Sequence, residues 1–193
     1  MAPIYDLLDL AEIQFKSRLR PKLFEGLSGT ILDAGVGTGR NMAFYPSGAR
    51  LVGIDLSPGM LSRARVRRAT LGVEASLIAM DLGRIGFRDE SFDAAVATFV
   101  FSSLDDAQQR AALTELARVL KPKGEIRLLD YQFSERPMRR LYMRLWSYWD
   151  SVAYGASFDR PPERYMEAAG LEIARREFVH KDMVKLIVAR RRP

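Results

Sequence analysis

The stretch Leu32-Asp33-Ala34-Gly35-Val36-Gly37-Thr38-Gly39-Arg40-Asn41 constrains this chain more than any other. Its glycines alternate, follow the apolar run Thr30-Ile31-Leu32, and precede a segment with helical patterning. Without a Cβ, such a backbone turns sharply and lets a ligand come close. A turn of this kind needs a strand feeding it and a helix leaving it, which predicts alternating βα units. The sequence keeps that alternation. Thr30 to Asp33, Arg50 to Asp55, Ala75 to Met80, Phe92 to Phe99 and Glu125 to Asp130 read as buried strands. Helical patterns fall at about 40–45, 58–71 and 105–120. Lys121-Pro122-Lys123-Gly124 reads as a turn before the fifth strand. Ile173 to Val179 and Met183 to Ala189 read as a closing antiparallel pair.

Composition removes several chemistries. There is no cysteine, so thiolate nucleophiles and thiolate metal sites are excluded, and the single histidine, His180, rules out a His-rich metal centre. No apolar run reaches the roughly 18 residues that span a bilayer. The first residues, Met1-Ala2-Pro3-Ile4-Tyr5-Asp6, lack the basic and apolar regions of a signal peptide, so a cytoplasmic protein is expected. The net charge of +6 points to an anionic partner or a solvated basic surface.

A nicotinamide-dinucleotide fingerprint would place its third glycine at position 40, where this chain has Arg40; the glycine is at 39. That spacing, with Asp33 just upstream, suits S-adenosylmethionine better than a dinucleotide. Asp55 ends the second strand about 20 residues after the first glycine, where a carboxylate can accept hydrogen bonds from both ribose hydroxyls. In Met80-Asp81-Leu82, Asp81 can accept from the adenine amino group, with apolar neighbours on the ring faces. Thr98 ends the fourth strand. All four elements fall at strand carboxyl ends, where open parallel sheets bind ligands.

With LDAGVGTGRN, GIDLSPGML, MDLGRIGFRDESFDAAVATFVFSSL and ARVLKPKGEIRLLDY on the page, the chain resembles the class I S-adenosylmethionine-dependent methyltransferases. The resemblance implies a Rossmann-like, doubly wound α/β sheet of seven strands, mostly parallel with one antiparallel strand near the C-terminus. It implies S-adenosyl-L-methionine as cofactor and S-adenosyl-L-homocysteine as product, with no metal. The implied cofactor contacts are Asp33, Gly35, Gly37, Gly39, Asn41, Asp55, Leu56, Met60, Met80, Asp81, Leu82 and Thr98. One domain, 1–193, is expected: an N-terminal helical cap (1–27), a cofactor-binding core (28–130), a substrate- and membrane-facing insert (131–165), and a closing helix and strands (166–193).

Methyl transfer from a sulfonium is an in-line displacement, so the protein mainly aligns the reactants and excludes water. Acceptor choice must then be read from 1–27 and 131–165. The first has Ile4, Leu7, Leu8, Ala11, Phe15 and Leu19 at helical spacing, with Lys16, Arg18, Arg20 and Lys22 near its end. This is an amphipathic helix that either caps the cleft or also touches an anionic membrane. The second places Arg136, Arg139, Arg140 and Arg144 among Trp146, Trp149 and Tyr148. That mixture suits a lipid headgroup layer, with RNA and a buried cap helix as alternatives. The apolar Thr98-Phe99-Val100-Phe101 argues against a nucleic-acid base as acceptor.

The compact size and basic-aromatic insert are similar to soluble-type bacterial phospholipid N-methyltransferases. This implies stepwise methylation of phosphatidylethanolamine towards phosphatidylcholine, at the inner membrane face, with the arginines pairing lipid phosphate. Quinone or small-molecule methyltransferases share the same core and are the alternative; a binding module without turnover is the other. The amine must lose a proton, and Tyr5, Tyr148 and His180 are the candidate groups.

Overall fold

The computed structural model describes residues 18–141, 143–144 and 160–192. Seven strands make one mixed sheet. They are β1 (Thr30–Ala34), β2 (Arg50–Asp55), β3 (Ala75–Ala79), β4 (Phe92–Thr98), β5 (Leu120–Tyr131), β6 (Leu171–His180) and β7 (Val184–Arg191). The order is β3-β2-β1-β4-β5-β7-β6. The first five strands pair in parallel. Only β7 is reversed, antiparallel to both β5 and β6. The chain therefore starts in the middle of the sheet, winds outward to β3, returns to β4 beside β1, and finishes with a hairpin. The order reverses between β1 and β4, so their carboxyl ends diverge and open a crevice.

The helices follow from local signals. Helix α1 (Pro21–Phe24) turns Leu23 and Phe24 inward. Helix α2 (Pro58–Leu71) begins with Pro58 in its first turn and Ser57 accepting from the Met60 N–H at 3.3 Å. It stops at Gly72, whose φ of 63° is the left-handed conformation that suits glycine. Helix α3 (Asp106–Val119) opens with a reciprocal cap: Asp105 accepts from the Gln108 N–H at 2.8 Å, and Gln108 accepts from the Asp105 N–H at 2.9 Å. Helix α4 is the short Glu163–Met166.

Leu113, Leu116 and Val119 of α3 pack with Phe92, Ile126 and Ile187 on one face of the sheet. Leu19, Leu23 and Phe24 cover Ile31, Val96 and Leu129 on the other. The described core therefore has the expected sheet. The expected N-terminal amphipathic helix falls mostly within 1–17, outside the described residues.

Two local expectations differ from the structure. The helix expected at 40–45 is a 3-10 helix, Arg40–Phe44. The turn expected at Lys121-Pro122-Lys123-Gly124 lies inside β5, because Leu120 already pairs with Phe92. The register then slips, and Ala94 pairs with Glu125. Those residues form an irregularity within the strand rather than a separate connection.

The loop from β3 to β4 is held by two side chains of α3, Arg118 and Glu115, and Glu115 accepts the Ile85 N–H at 2.7 Å. Arg118 donates to the Phe87 carbonyl at 2.9 Å, the Ile85 carbonyl at 2.7 Å and the Asp89 carboxylate at 2.7 Å. It also pairs with Glu115 at 2.8 Å. Arg118→Ala removes all of these together. It should lower unfolding free energy by about 1–3 kcal/mol, read from the urea midpoint.

Candidate functional site

The carboxyl ends of β1, β2, β3 and β4 open onto a cavity of about 580 Å³, a size that holds a cofactor-sized molecule. Gly35 and Gly37 form one wall, Asp55 and Leu56 the next, and Met80, Asp81 and Leu82 a third. Thr98, Phe99 and Val100 close it from β4. Of the twelve implied cofactor contacts, the structure brings Gly35, Gly37, Asp55, Leu56, Met60, Met80, Asp81, Leu82 and Thr98 to this one cavity.

Asp55 shows how the local fold arranges the wall. Its Oδ2 accepts the Gly37 N–H at 2.9 Å and its Oδ1 the Ser57 N–H at 2.9 Å. A carboxylate has about four acceptor positions, so this side chain fixes the glycine turn and retains capacity for two further donors. A vicinal diol is such a pair. The apolar Met80 and Leu82 offer flanks for a flat ring, and Asp81 offers an acceptor beside them. The donor set thus fits an adenosyl group.

Asp33, Gly39 and Asn41 do not line the cavity, for a physical reason in each case. Asp33 is fully buried at the end of β1. It accepts the Tyr45 hydroxyl at 2.6 Å and the Asn41 amide at 2.9 and 3.0 Å. The same amide donates to the Thr98 hydroxyl at 3.0 Å, and Arg20 donates to the Asn41 carbonyl oxygen. These groups form a polar cluster behind the loop. Gly39 faces α2: a Cβ there would come 2.8 Å from the Met42 Cε and 3.3 Å from the Ala64 Cα. Its role is close helix packing.

Arg20 also departs from expectation. It is expected at the basic end of a helix that caps the cleft or also touches a membrane, yet it is 7% exposed and its guanidinium lies 5.8 Å from the Phe99 ring centroid. A cation bound to Asn41 beside a buried carboxylate has no reason to face lipid.

The β4 end departs from regular geometry. Phe99 has φ of 56°, a left-handed conformation that is uncommon for a bulky residue. Its N–H donates to the Leu129 carbonyl at 2.8 Å, and its ring lies 4.7 Å from that of Tyr131 at 31°. Val100 sits over Gly35 so closely that a Cβ there would lie 2.4 Å from the valine Cγ2. Next along the sheet, buried Asp130 accepts the Ser102 N–H at 3.0 Å and the Tyr131 N–H at 2.8 Å. Burial pushes its pKa up. Its partner across the β5–β7 ladder is Lys185, 1% exposed and ion-paired with Glu163 of α4.

His180 ends β6, with β7 and β5 between it and β4, and does not line the cavity. Partial burial, followed by the charges of Lys181 and Arg139, holds its pKa below the usual range. Tyr5, Tyr148, Lys16, Trp146 and Trp149 lie outside the described residues. Arg136, Arg140 and Arg144 are exposed, whereas Arg139 is partly buried and paired with Asp182. Sequence reasoning missed the lining from α3, where Ala107, Gln108 and Ala111 face the cavity. The helix expected at about 105–120 covers this end, and Asp105 and Gln108 cap it; no spacing signals that Ala107, Gln108 and Ala111 turn to the cavity.

Residues 31–124 match the family described as "Methyltransferase domain". A phosphatidylethanolamine N-methyltransferase of Cereibacter sphaeroides is 35% identical over 105 residues, covering 53% of this chain and 51% of that protein. A demethylmenaquinone methyltransferase of Thermus thermophilus is 33% identical over 139 residues, covering 68% of this chain and 62% of its own. The chain thus spans less than two thirds of the length of either relative. Among solved structures, a S-adenosylmethionine-dependent methyltransferase from Methanosarcina mazei superposes with a TM-score of 0.69 at 19% identity, covering 84% of this chain and 92% of that one. A Pyrococcus horikoshii protein gives a TM-score of 0.73 at 18% identity, covering 94% and 91%.

Burial raises the Asp33 pKa from 3.8 to about 6, against the lowering effect of its hydrogen bonds and Arg20. The native state therefore holds this proton more tightly than the unfolded chain does. The stability it contributes is full below pH 3.8 and lost as pH rises through about 6. Wild type should lose about 3 kcal/mol relative to Asp33→Asn across that window, measured by urea unfolding at each pH.

Proposed function

From the premise that residues 31–124 belong to the methyltransferase-domain family, on the fold of class I S-adenosylmethionine-dependent methyltransferases, we propose that this chain methylates a lipid amine at a membrane surface. The acceptor in this reading is phosphatidylethanolamine and its partly methylated derivatives. The observation that carries the transfer reading is the convergence of Gly37, Asp55, Asp81 and Thr98 on one cavity at the strand carboxyl ends. The lipid part is supported by the exposed Arg136, Arg140 and Arg144 and by similarity to the Cereibacter enzyme.

S-adenosylmethionine, when bound, supplies an electrophilic methyl group on a sulfonium. The chain's own residues do the rest. Asp55 would hold the ribose hydroxyls while bracing the glycine turn from the same carboxylate. Asp81, beside Met80 and Leu82, would accept from the adenine amino group. Phe99 and Val100 form an apolar wall that excludes water on the acceptor side and fixes the line of approach. Among the described lining residues only Asp55 and Asp81 are acidic or basic, and both belong to the donor half. In this proposal the amine proton passes to solvent, and Tyr5 or Tyr148 orients the amine through its hydroxyl.

A second reading is methylation of a quinol ring. The aromatic Phe99 in the cavity wall favours it, as does the Thermus relative. Incubation with methyl-labelled cofactor, phosphatidylethanolamine vesicles and a demethylated naphthoquinol separates the two. Label in the lipid amine is expected. Label only in the quinol selects the second reading, and label in neither, with cofactor bound, overturns transfer to both. Asp55→Ala should weaken cofactor affinity about tenfold to a hundredfold by calorimetry. Unchanged affinity would remove the ribose role.

A further inference from the structure

The segment after β5 exposes a surface that the cavity does not use. Ser134 is fully buried and donates to Asp182 in the β6–β7 turn. Asp182 also accepts the Glu135 N–H at 3.1 Å and pairs with Arg139. Those hydrogen bonds hold its carboxyl well below the usual range, so the anchor stays charged at every physiological pH. Three contacts thus clamp the start of a helical stretch, 137–141, to the end of the sheet that carries the cavity. Met143 is buried beneath it, at 2% exposure.

The outer face of that stretch is not a simple solvated one. Met138 is 80% exposed and Leu141 54%, one helical turn apart. Arg136, Arg140 and Arg144 recur at every fourth residue beside them and are exposed. Arg140 also lies 5.8 Å from the Phe133 ring centroid. Two large apolar tips held out into solvent and flanked by a row of guanidinium groups complement an interface with hydrocarbon below and anionic phosphate above. Nucleic acid would use the arginines but leave both apolar tips without a partner.

We propose that Arg136, Met138, Arg140, Leu141 and Arg144 form a docking face for an anionic lipid membrane. Met138 and Leu141 enter the acyl boundary, and the arginines pair headgroup phosphates. The Asp182 clamp fixes the angle at which the cavity mouth meets the bilayer. The inference deepens the lipid-acceptor reading and rests on it for its purpose. The surface supplies its own evidence.

The test is co-sedimentation of the full chain with phosphatidylcholine vesicles containing or lacking phosphatidylglycerol, at low and high salt. Binding is expected only with the anionic lipid, and salt should weaken it. Met138→Glu/Leu141→Glu and Arg136→Glu/Arg140→Glu should each reduce partitioning by about tenfold or more. Calorimetric cofactor affinity reports that the variants remain folded. For a destabilised variant, Met138→Ser/Leu141→Ser replaces it. Equal sedimentation of folded variants and wild type overturns the proposal. So does capture of an RNA homopolymer with no vesicle binding. Vesicle binding without methylation of phosphatidylethanolamine counts against the lipid-amine acceptor and leaves the docking face standing. Methylation of short-chain lipid in detergent without vesicle binding does the reverse.

Discussion

A carboxylate buried at the end of the first strand holds the glycine loop from behind. Asp33 has no water to stabilise its charge, and its neighbours are all donors: the Tyr45 hydroxyl, the Asn41 amide and, through Asn41, the Arg20 guanidinium. Burying an ion is costly unless it is paired and hydrogen-bonded. That cost selects one arrangement of the chain. Tyr45 and Asn41 come from the 3-10 turn after the glycines, Arg20 from the segment leading to α1, and Thr98 from β4. Any slip of the glycine loop would strand one of these groups. The loop is therefore fixed on its hidden side by Asp33 and on its open side by Asp55.

The half of the cleft built by β1 to β3 and the half built by β4 are made differently. On the first, backbone N–H groups are spoken for by carboxylates at the ends of consecutive parallel strands, so the geometry comes from the sheet itself. On the second, a left-handed Phe99 in aromatic contact with Tyr131 sets the wall, and further along the sheet buried Lys185 pairs with Glu163. These contacts join residues far apart in sequence. Gln109 extends the pattern, donating to the Phe101 carbonyl at 2.8 Å and the Arg160 carbonyl at 3.1 Å. The chain returning from the insert is thereby tied to the loop that follows β4.

This difference explains what could be read from the residues alone. The strands, the reversed β7, Asp55, Asp81 and the glycine turn all depend on short-range pattern: apolar runs, a Cβ-free turn, an acidic residue at a strand end. Asp33 was legible as a special residue, but its role was not, because Tyr45 and Arg20 carry no spacing that announces a shared partner. Arg20 looked like one cation of a basic helix end, and only tertiary packing shows that it points inward. The β5 irregularity escaped for the same reason: Lys-Pro-Lys-Gly has the chemistry of a turn, and pairing of Leu120 with Phe92 overrides it. The lining from α3 was hidden in a helix whose apolar residues serve the core and whose small residues serve the cavity.

The contact between Val100 and Gly35 carries a consequence for how such a protein can diversify. The two residues belong to opposite halves of the cleft, and the space between them is too small for one methyl group. Enlarging position 100, or adding a side chain at 35, displaces both halves at once. A side chain added at this seam therefore shifts the glycine turn and the β4 wall in the same stroke. Reshaping one wall alone is steered away from the seam, towards residues that touch a single side of the cleft.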